Sequence, residues 1–177
     1  MQQMMVFGKT PKMEQLTPSE LTWLKELGLG SGVYLDDRNC KFPNGFCHIN
    51  NLYYCMENPE AEIVSGWLIW KSQVLCELEF HSVVRHNGWL MDLTKRSDPT
   101  DTEVLFFEEP HYWAKFDKGI THTFHNIIFP KMGRKRMARE VFAGDFTEIF
   151  QNFGVKGRPV LSSLQQAFLH EMAAKFF

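Results

Sequence analysis

No stretch of the sequence approaches the roughly 20 apolar residues that a bilayer-spanning helix needs. Nor does the segment from Met1 to Gln15 show the charged-then-apolar pattern of a secretory signal. The expectation is a soluble cytoplasmic protein with no membrane partner. Cysteine is sparse: four in 177 residues, at Cys40, Cys47, Cys55 and Cys76, none in C-x-x-C spacing. That excludes a disulfide scaffold and a ribbon-type zinc site and points to reduced thiols. The i, i+4 histidines of a zinc peptidase helix are missing too. Only His122-x-x-His125 comes near, and although His48, His81, His86, Cys47 and Asp92 carry ligating groups, no metal and no cofactor is expected. Charge of one sign is also lacking. A formal net charge of −2 offers no global attraction to nucleic acid, which is disfavoured as a partner. Internal repeats and low-complexity tracts are absent.

What the chain has in quantity is aromatic and aliphatic mass. Sixteen Phe and five Trp within a 44% hydrophobic composition suit one globular domain, 1–177, with a real core. Thr17-Pro18-Ser19-Glu20 is a capping box that predicts a helix from Pro18 to Leu27, stopped by Gly28. A glycine-rich loop to Gly45, with a short strand around Val33 to Leu35, leads to Cys47. From there Ile49, Leu52, Tyr53 and Met56 recur at helical spacing and predict an amphipathic helix to Glu57. On that wheel Cys47 falls away from the apolar stripe, together with Asn51 and Tyr54. Glu62 to Trp70 reads as a strand turning at Lys71-Ser72-Gln73 into the next one, and Glu103 to Phe107 reads as an edge strand. Thr123 to Phe129 is one further strand. Beyond 130 the expectation is helical: a basic helix carrying Lys131, Arg134, Lys135 and Arg139, a short helix capped by Asp145 and running to Phe153, and a last helix over 160–177. The fold class expected is therefore α+β, a sheet of antiparallel hairpins packed with a cysteine-bearing helix (16–130), followed by a helical extension (131–177).

The chain is organised around Leu78 to Thr94. Asn87-Gly88 between two strand-like runs predicts a two-residue type I′ hairpin, since both residues accept positive φ. The register follows: His86 faces Trp89, Arg85 faces Leu90, Val84 faces Met91, Val83 faces Asp92 and His81 faces Thr94. One face carries Phe80, Ser82, Val84, Trp89, Met91 and Leu93 and reads as core. The other carries Glu79, His81, Val83, Arg85, Leu90, Asp92 and Thr94, with His81 and Asp92 as diagonal neighbours. That second face has two readings, the wetted side of an ordinary sheet or the bed of a site.

A thiol at a helix start, an imidazole and a carboxylate on adjoining strands supply the parts of nucleophilic acyl transfer. The helix terminus favours the thiolate of Cys47, His81 shuttles the proton and Asp92 orients the ring. An oxyanion would meet the Cys47 N–H and a side-chain amide, Asn44 first and Asn39 next. In this order, and in the run from Phe80-His81 through Trp89-Leu90-Met91-Asp92-Leu93-Thr94, the chain resembles the papain-like superfamily. The likeness is greatest to its transglutaminase-like, arylamine acetyltransferase-like and NlpC-type branches, over Asn44 to Thr94. With Gly66 to Trp70 and Phe106 to Pro110 it also resembles small bacterial and phage-type proteins. The resemblance implies a cysteine hydrolase or acyltransferase with nucleophile Cys47, base His81 and orienter Asp92. Its substrate would be a peptide, a protein or a small amide, processed by hydrolysis, deamidation or transfer. The competing expectation is a non-catalytic module that binds protein or nucleic acid through the basic helix 131–139.

Overall fold

The computed structural model describes residues 8–73, 75–117, 120–124, 127–129, 137–139 and 149–176. The amino-terminal helix α1 (Pro18–Glu26) starts at its capping box: Glu20 N–H donates to Thr17 Oγ1, Thr17 N–H donates to Glu20 Oε2, and Gly28 beyond its end has φ +75°. Strand β1 (Val33–Asp36) precedes the second helix, α2 (Cys47–Glu57). Then come β2 (Glu62–Lys71), β3 (Cys76–His86), β4 (Trp89–Met91) and β5 (Glu103–Glu108). Four short strands follow, β6 (Ala114–Asp117), β7 (Ile120–Phe124), β8 (Ile127–Phe129) and β9 (Met137–Arg139). The chain closes with β10 (Phe153–Val155) and α3 (Ser163–Phe176).

The main sheet is antiparallel, in the order β1-β5-β2-β3-β4, with β8 also paired to β3. A second sheet runs β10-β6-β7-β9. The protein is thus α+β, with hairpins at its centre as the sequence implies. Asn87 and Gly88 take φ +52° and +80°, and the turn pairs His86 with Trp89, Arg85 with Leu90 and Val84 with Met91. There the ladder stops.

Several expectations are corrected. β5 is not an edge strand, because β1 pairs on its far side from Val33↔Phe106 to Asp36↔Glu103, and its apolar residues are buried accordingly. Trp89 is not in the core but 76% exposed at the hairpin tip. The second face of the central hairpin, open to two readings in the sequence, buries Val83, His81, Asp92 and Thr94 and leaves Glu79, Arg85 and Leu90 half-buried; Val83 joins Leu35, Val64, Leu68, Val104 and Phe106 in an apolar cluster of its own.

The carboxy-terminal extension is not wholly helical. Met137-Ala138-Arg139, good helix formers, instead pair with Phe124, Thr123 and His122 as β9, a case of tertiary pairing overriding propensity. Phe153 likewise opens β10 against Phe116 instead of ending a helix. Lys131, Arg134 and Lys135, and Asp145 as a cap, lie outside the described residues, as does His125. The arm is anchored where it is described: Lys9 bridges Lys71, and Thr10 Oγ1 accepts from the Leu105 N–H. Among the described residues no helix is long and apolar enough to cross a membrane.

Candidate functional site

A window in the sheet sets the site. β2 pairs along the whole of β3, so β4 and β8 share the opposite edge. There they cover only Val84–His86 and Cys76–Leu78. Residues 79–83 of β3 have no strand on that side among the described residues, and His81 is at the centre of the gap. Instead of continuing beside β3, the chain after Met91 turns to the loop that delivers α2: Phe42 N–H donates to Leu93 O at 2.9 Å and Lys95 N–H to Phe42 O at 2.8 Å. Asn50 of α2 locks the junction, its Nδ2 donating to Pro43 O (2.9 Å) and Thr94 Oγ1 (3.0 Å). The start of α2 and the Asp92 segment are thereby brought to the same window.

The polar side of α2 is the side that faces β3. Asn51 is buried and its Nδ2 donates to Ser82 Oγ at 2.9 Å, and Tyr54 hydroxyl meets His86 Nδ1 at 2.9 Å. Cys47, one turn before Asn51, shares that side. Its thiol hydrogen-bonds with His81 and with His48. His81 Nε2 in turn meets Asp92 Oδ1 at 3.1 Å, which leaves Nδ1 as the nitrogen for sulfur. Asp92 does not reach His81 as a strand neighbour, since the predicted facings of Val83 with Asp92 and His81 with Thr94 lie past the end of β4.

The Asp92 carboxylate is held from three sides. Oδ1 accepts from His81 and from the Thr94 N–H (3.0 Å), and Oδ2 accepts from Arg96 Nη1 at 3.1 Å. Arg96 is itself fixed, its Nη2 donating to the carbonyls of Leu35 (3.2 Å) and Asp36 (3.3 Å). Burial opposes ionisation of Asp92, but the charge and hydrogen bond of His81, with Arg96 and Thr94 behind, outweigh it and lower the carboxyl's pKa. Burial likewise works against an imidazolium at His81, and Asp92 and Cys47 more than reverse it, so its pKa stands well above 6.5. At Cys47 burial would raise the thiol. His48 and His81 overcome that and hold it well below the ordinary value.

Elsewhere the reverse holds: burial pushes Cys40, Cys55 and Cys76 each up to about 12. The shifts at Cys47 and His81 favour the thiolate of the one and the imidazolium of the other, beside the Asp92 carboxylate and the Arg96 guanidinium. Glu79, two residues before His81, accepts from Trp70 Nε1 at 2.7 Å, and burial pushes its carboxyl up.

Of the residues expected from sequence, Cys47, His81 and Asp92 converge. Asn44 and Asn39 do not join them in the same way: Asn44 is exposed and spends its Nδ2 on Ser97 Oγ at 2.8 Å, and Asn39 lies half-buried in the turn before Cys40. Arg139 lies in β9 opposite His122. Sequence reasoning missed Arg96 and His48. Arg96 sits in a polar loop with no periodicity to mark it. His48 adjoins Cys47, but the sequence marks it only as one ligating side chain among several. No side chain caps α2, whose N-cap is Phe46, so its first-turn N–H groups have no capping side-chain oxygen.

Two surface depressions lie away from this site, one lined by Lys12, Tyr34, Asp101 and Glu103, the other by Thr22, Trp23, Glu26 and Phe129. Among the described residues no three His, Cys, Asp or Glu side chains form a group that could hold a metal ion. Comparison with protein-family models, with curated proteins and with solved structures finds no match for this chain.

Proposed function

We propose that the protein carries out thiol-dependent acyl chemistry on an amide or ester through a Cys47 acyl-enzyme, with the papain-like arrangement that its sequence resembles. The observation that carries the reading is the buried His81–Asp92 contact at 3.1 Å beside Cys47 at the start of α2, where the neighbouring imidazoles lower the thiol's pKa and Asp92 and the thiol raise that of His81. In the first half-reaction the Cys47 thiolate attacks the acyl carbon and the carbonyl electrons move onto oxygen. The oxyanion is met by first-turn N–H groups of α2, in the field of the helix dipole. Collapse expels the amine or alcohol, which takes a proton from His81 Nδ1, and leaves a thioester. Water or an acceptor amine then attacks, His81 takes its proton, and the thiolate departs. Asp92 holds Nε2 throughout and supports the imidazolium, as in triads generally. The substrate class is a peptide, protein or small amide.

A chromogenic acetyl ester tests this. Intact-mass and peptide analysis is expected to show one acetyl group on Cys47 within the first turnover, released on standing or transferred to an added amine. Acetyl groups scattered over lysines, with none on Cys47, would contradict the acyl-enzyme.

A further inference from the structure

A second chain of hydrogen bonds ends on the same sulfur, and the acyl reading makes no use of it. It starts at Asn51, whose Nδ2 donates to Ser82 Oγ at 2.9 Å, and continues from Ser82 Oγ to His48 Nδ1 at 2.8 Å. His48 then shares a hydrogen bond with Cys47. The inventory of donors fixes the first step: an amide nitrogen can only donate, so Ser82 Oγ accepts from Asn51. A hydroxyl keeps a second lone pair and a hydrogen, so Ser82 Oγ holds His48 Nδ1 as donor or as acceptor. With Nδ1 engaged there, Nε2 is the nitrogen left for sulfur, and a thiolate accepts from it as Nε2–H.

The network is costly in its setting. Asn51 and Ser82 are fully buried, and among the described residues Asn51 Oδ1 has no hydrogen-bond partner. An apolar pair between α2 and β3 would avoid that cost, so packing does not account for it. The Phe80 ring, 6.0 Å from the His48 ring between centroids, supports the imidazole.

We propose that His48 is a positioning residue for Cys47: an N–H donor, its ring held in place by Ser82 and Asn51, that steadies the thiolate and leaves His81 as the one group that exchanges a proton with it. The assignment rests on the acyl reading of Cys47 and His81. It divides two tasks between two imidazoles. His81, backed by Asp92, moves the proton; His48, backed by Ser82, holds the charge. A hydrogen bond to a charged group is strong enough to change the thiolate fraction by roughly tenfold or more.

The test is the alkylation rate of Cys47 against pH, by iodoacetamide and peptide mapping, in the full chain and in His48→Ala, His48→Gln, Ser82→Ala and His81→Ala, with circular dichroism of each. His48→Ala is expected to slow alkylation at pH 6 by roughly tenfold or more and to move its midpoint upward. His48→Gln, whose amide N–H replaces Nε2–H, is expected to recover most of that rate. Ser82→Ala should give a smaller shift in the same direction. A folded His48→Ala with an unchanged profile overturns the assignment, as does a His48→Gln no better than His48→Ala. Should His48→Ala fail to fold, Ser82→Ala decides, an unchanged profile again counting against His48. If His81→Ala abolishes reactivity at low pH and His48→Ala does not, only the role of His48 falls. Should His81→Ala leave Cys47 untouched, the acyl reading fails with it.

Discussion

Asp92 joins three parts of the chain through one carboxylate: His81 on β3, the Thr94 N–H of its own loop, and Arg96, which reaches back to the end of β1. Replacing it with asparagine keeps the shape and removes the charge. His81 then loses the strongest influence raising its pKa, and Arg96, whose side chain is 5% exposed, loses its counter-ion. Asp92→Asn is expected to lower turnover of an activated ester by about 10²–10⁴-fold. It should also cost about 3–5 kcal/mol of stability in urea, the usual consequence of breaking a buried pair on one side. Wild-type turnover in this variant would show that Asp92 does not orient His81. The turn at Asn87-Gly88 puts His81 and Asp92 within reach in the sequence, but through a register that stops at Met91. The contact is made by another route. The departure of the chain at Met91 depends on the distant Phe42, which local spacing does not encode.

Among the elements, β2 and α2 show how position is enforced. Gly66 stands opposite His81 in the β2–β3 ladder, and a Cβ there would collide with the Phe106 ring and the Phe107 carbonyl. The missing side chain leaves room for the Phe106 ring of β5 against β2, the strand next to the one that carries His81. Gly66→Ala is expected to destabilise by about 1–3 kcal/mol or more, as overpacking does. A β2 displaced by the clash carries its partner β3 with it, so Cys47 alkylation at pH 6 should fall as well. A thermal midpoint equal to wild type would contradict this account.

The bounds of α2, Cys47–Glu57, were readable from its apolar spacing. The facing of its polar side was not, because amphipathic reasoning assigns Asn51 and Tyr54 to water. Here Ser82 and His86 on β3 supply the partners that allow that side to be buried. The basic segment misled for the opposite reason. Helical propensity in Met137-Ala138-Arg139 yields to backbone pairing with β7, which involves no local signal.

At the scale of the molecule, ion pairs tie the amino-terminal region to the main sheet. Glu20 in α1 accepts from Lys71 Nζ of β2 at 2.7 Å and from the Thr17 N–H. Burial raises the Glu20 carboxyl, but Lys71 and Thr17 reverse this and its folded pKa is lowered. A lowered carboxylate stabilises the fold above its unfolded pKa, near 4.3, and the contribution fades as pH falls through the folded value. Glu20→Gln is therefore expected to cost about 1–3 kcal/mol at pH 7. Urea melts of the two proteins should converge as pH is lowered through that window. A gap that stays constant to the most acid pH would contradict the ion pair. The α+β class and the central hairpins were legible because their signals are local. The insertion of β5 between β1 and β2 was not, since β1 meets it from 70 residues away.

The four thiols, spread from the loop before α2 to the start of β3, give the most direct measurement. Alkylation of each cysteine in the native protein is followed from pH 5 to 10 by peptide mass spectrometry, with His81→Ala alongside. The expected result is that Cys47 alone reacts well below pH 7 and loses that reactivity without His81. Cys40, Cys55 and Cys76, pushed up to about 12, should stay inert until the alkaline end. A Cys47 that reacts no faster than Cys40, or only above about pH 8.5, the ordinary thiol value, would contradict the thiolate and imidazolium pair and the function built on it.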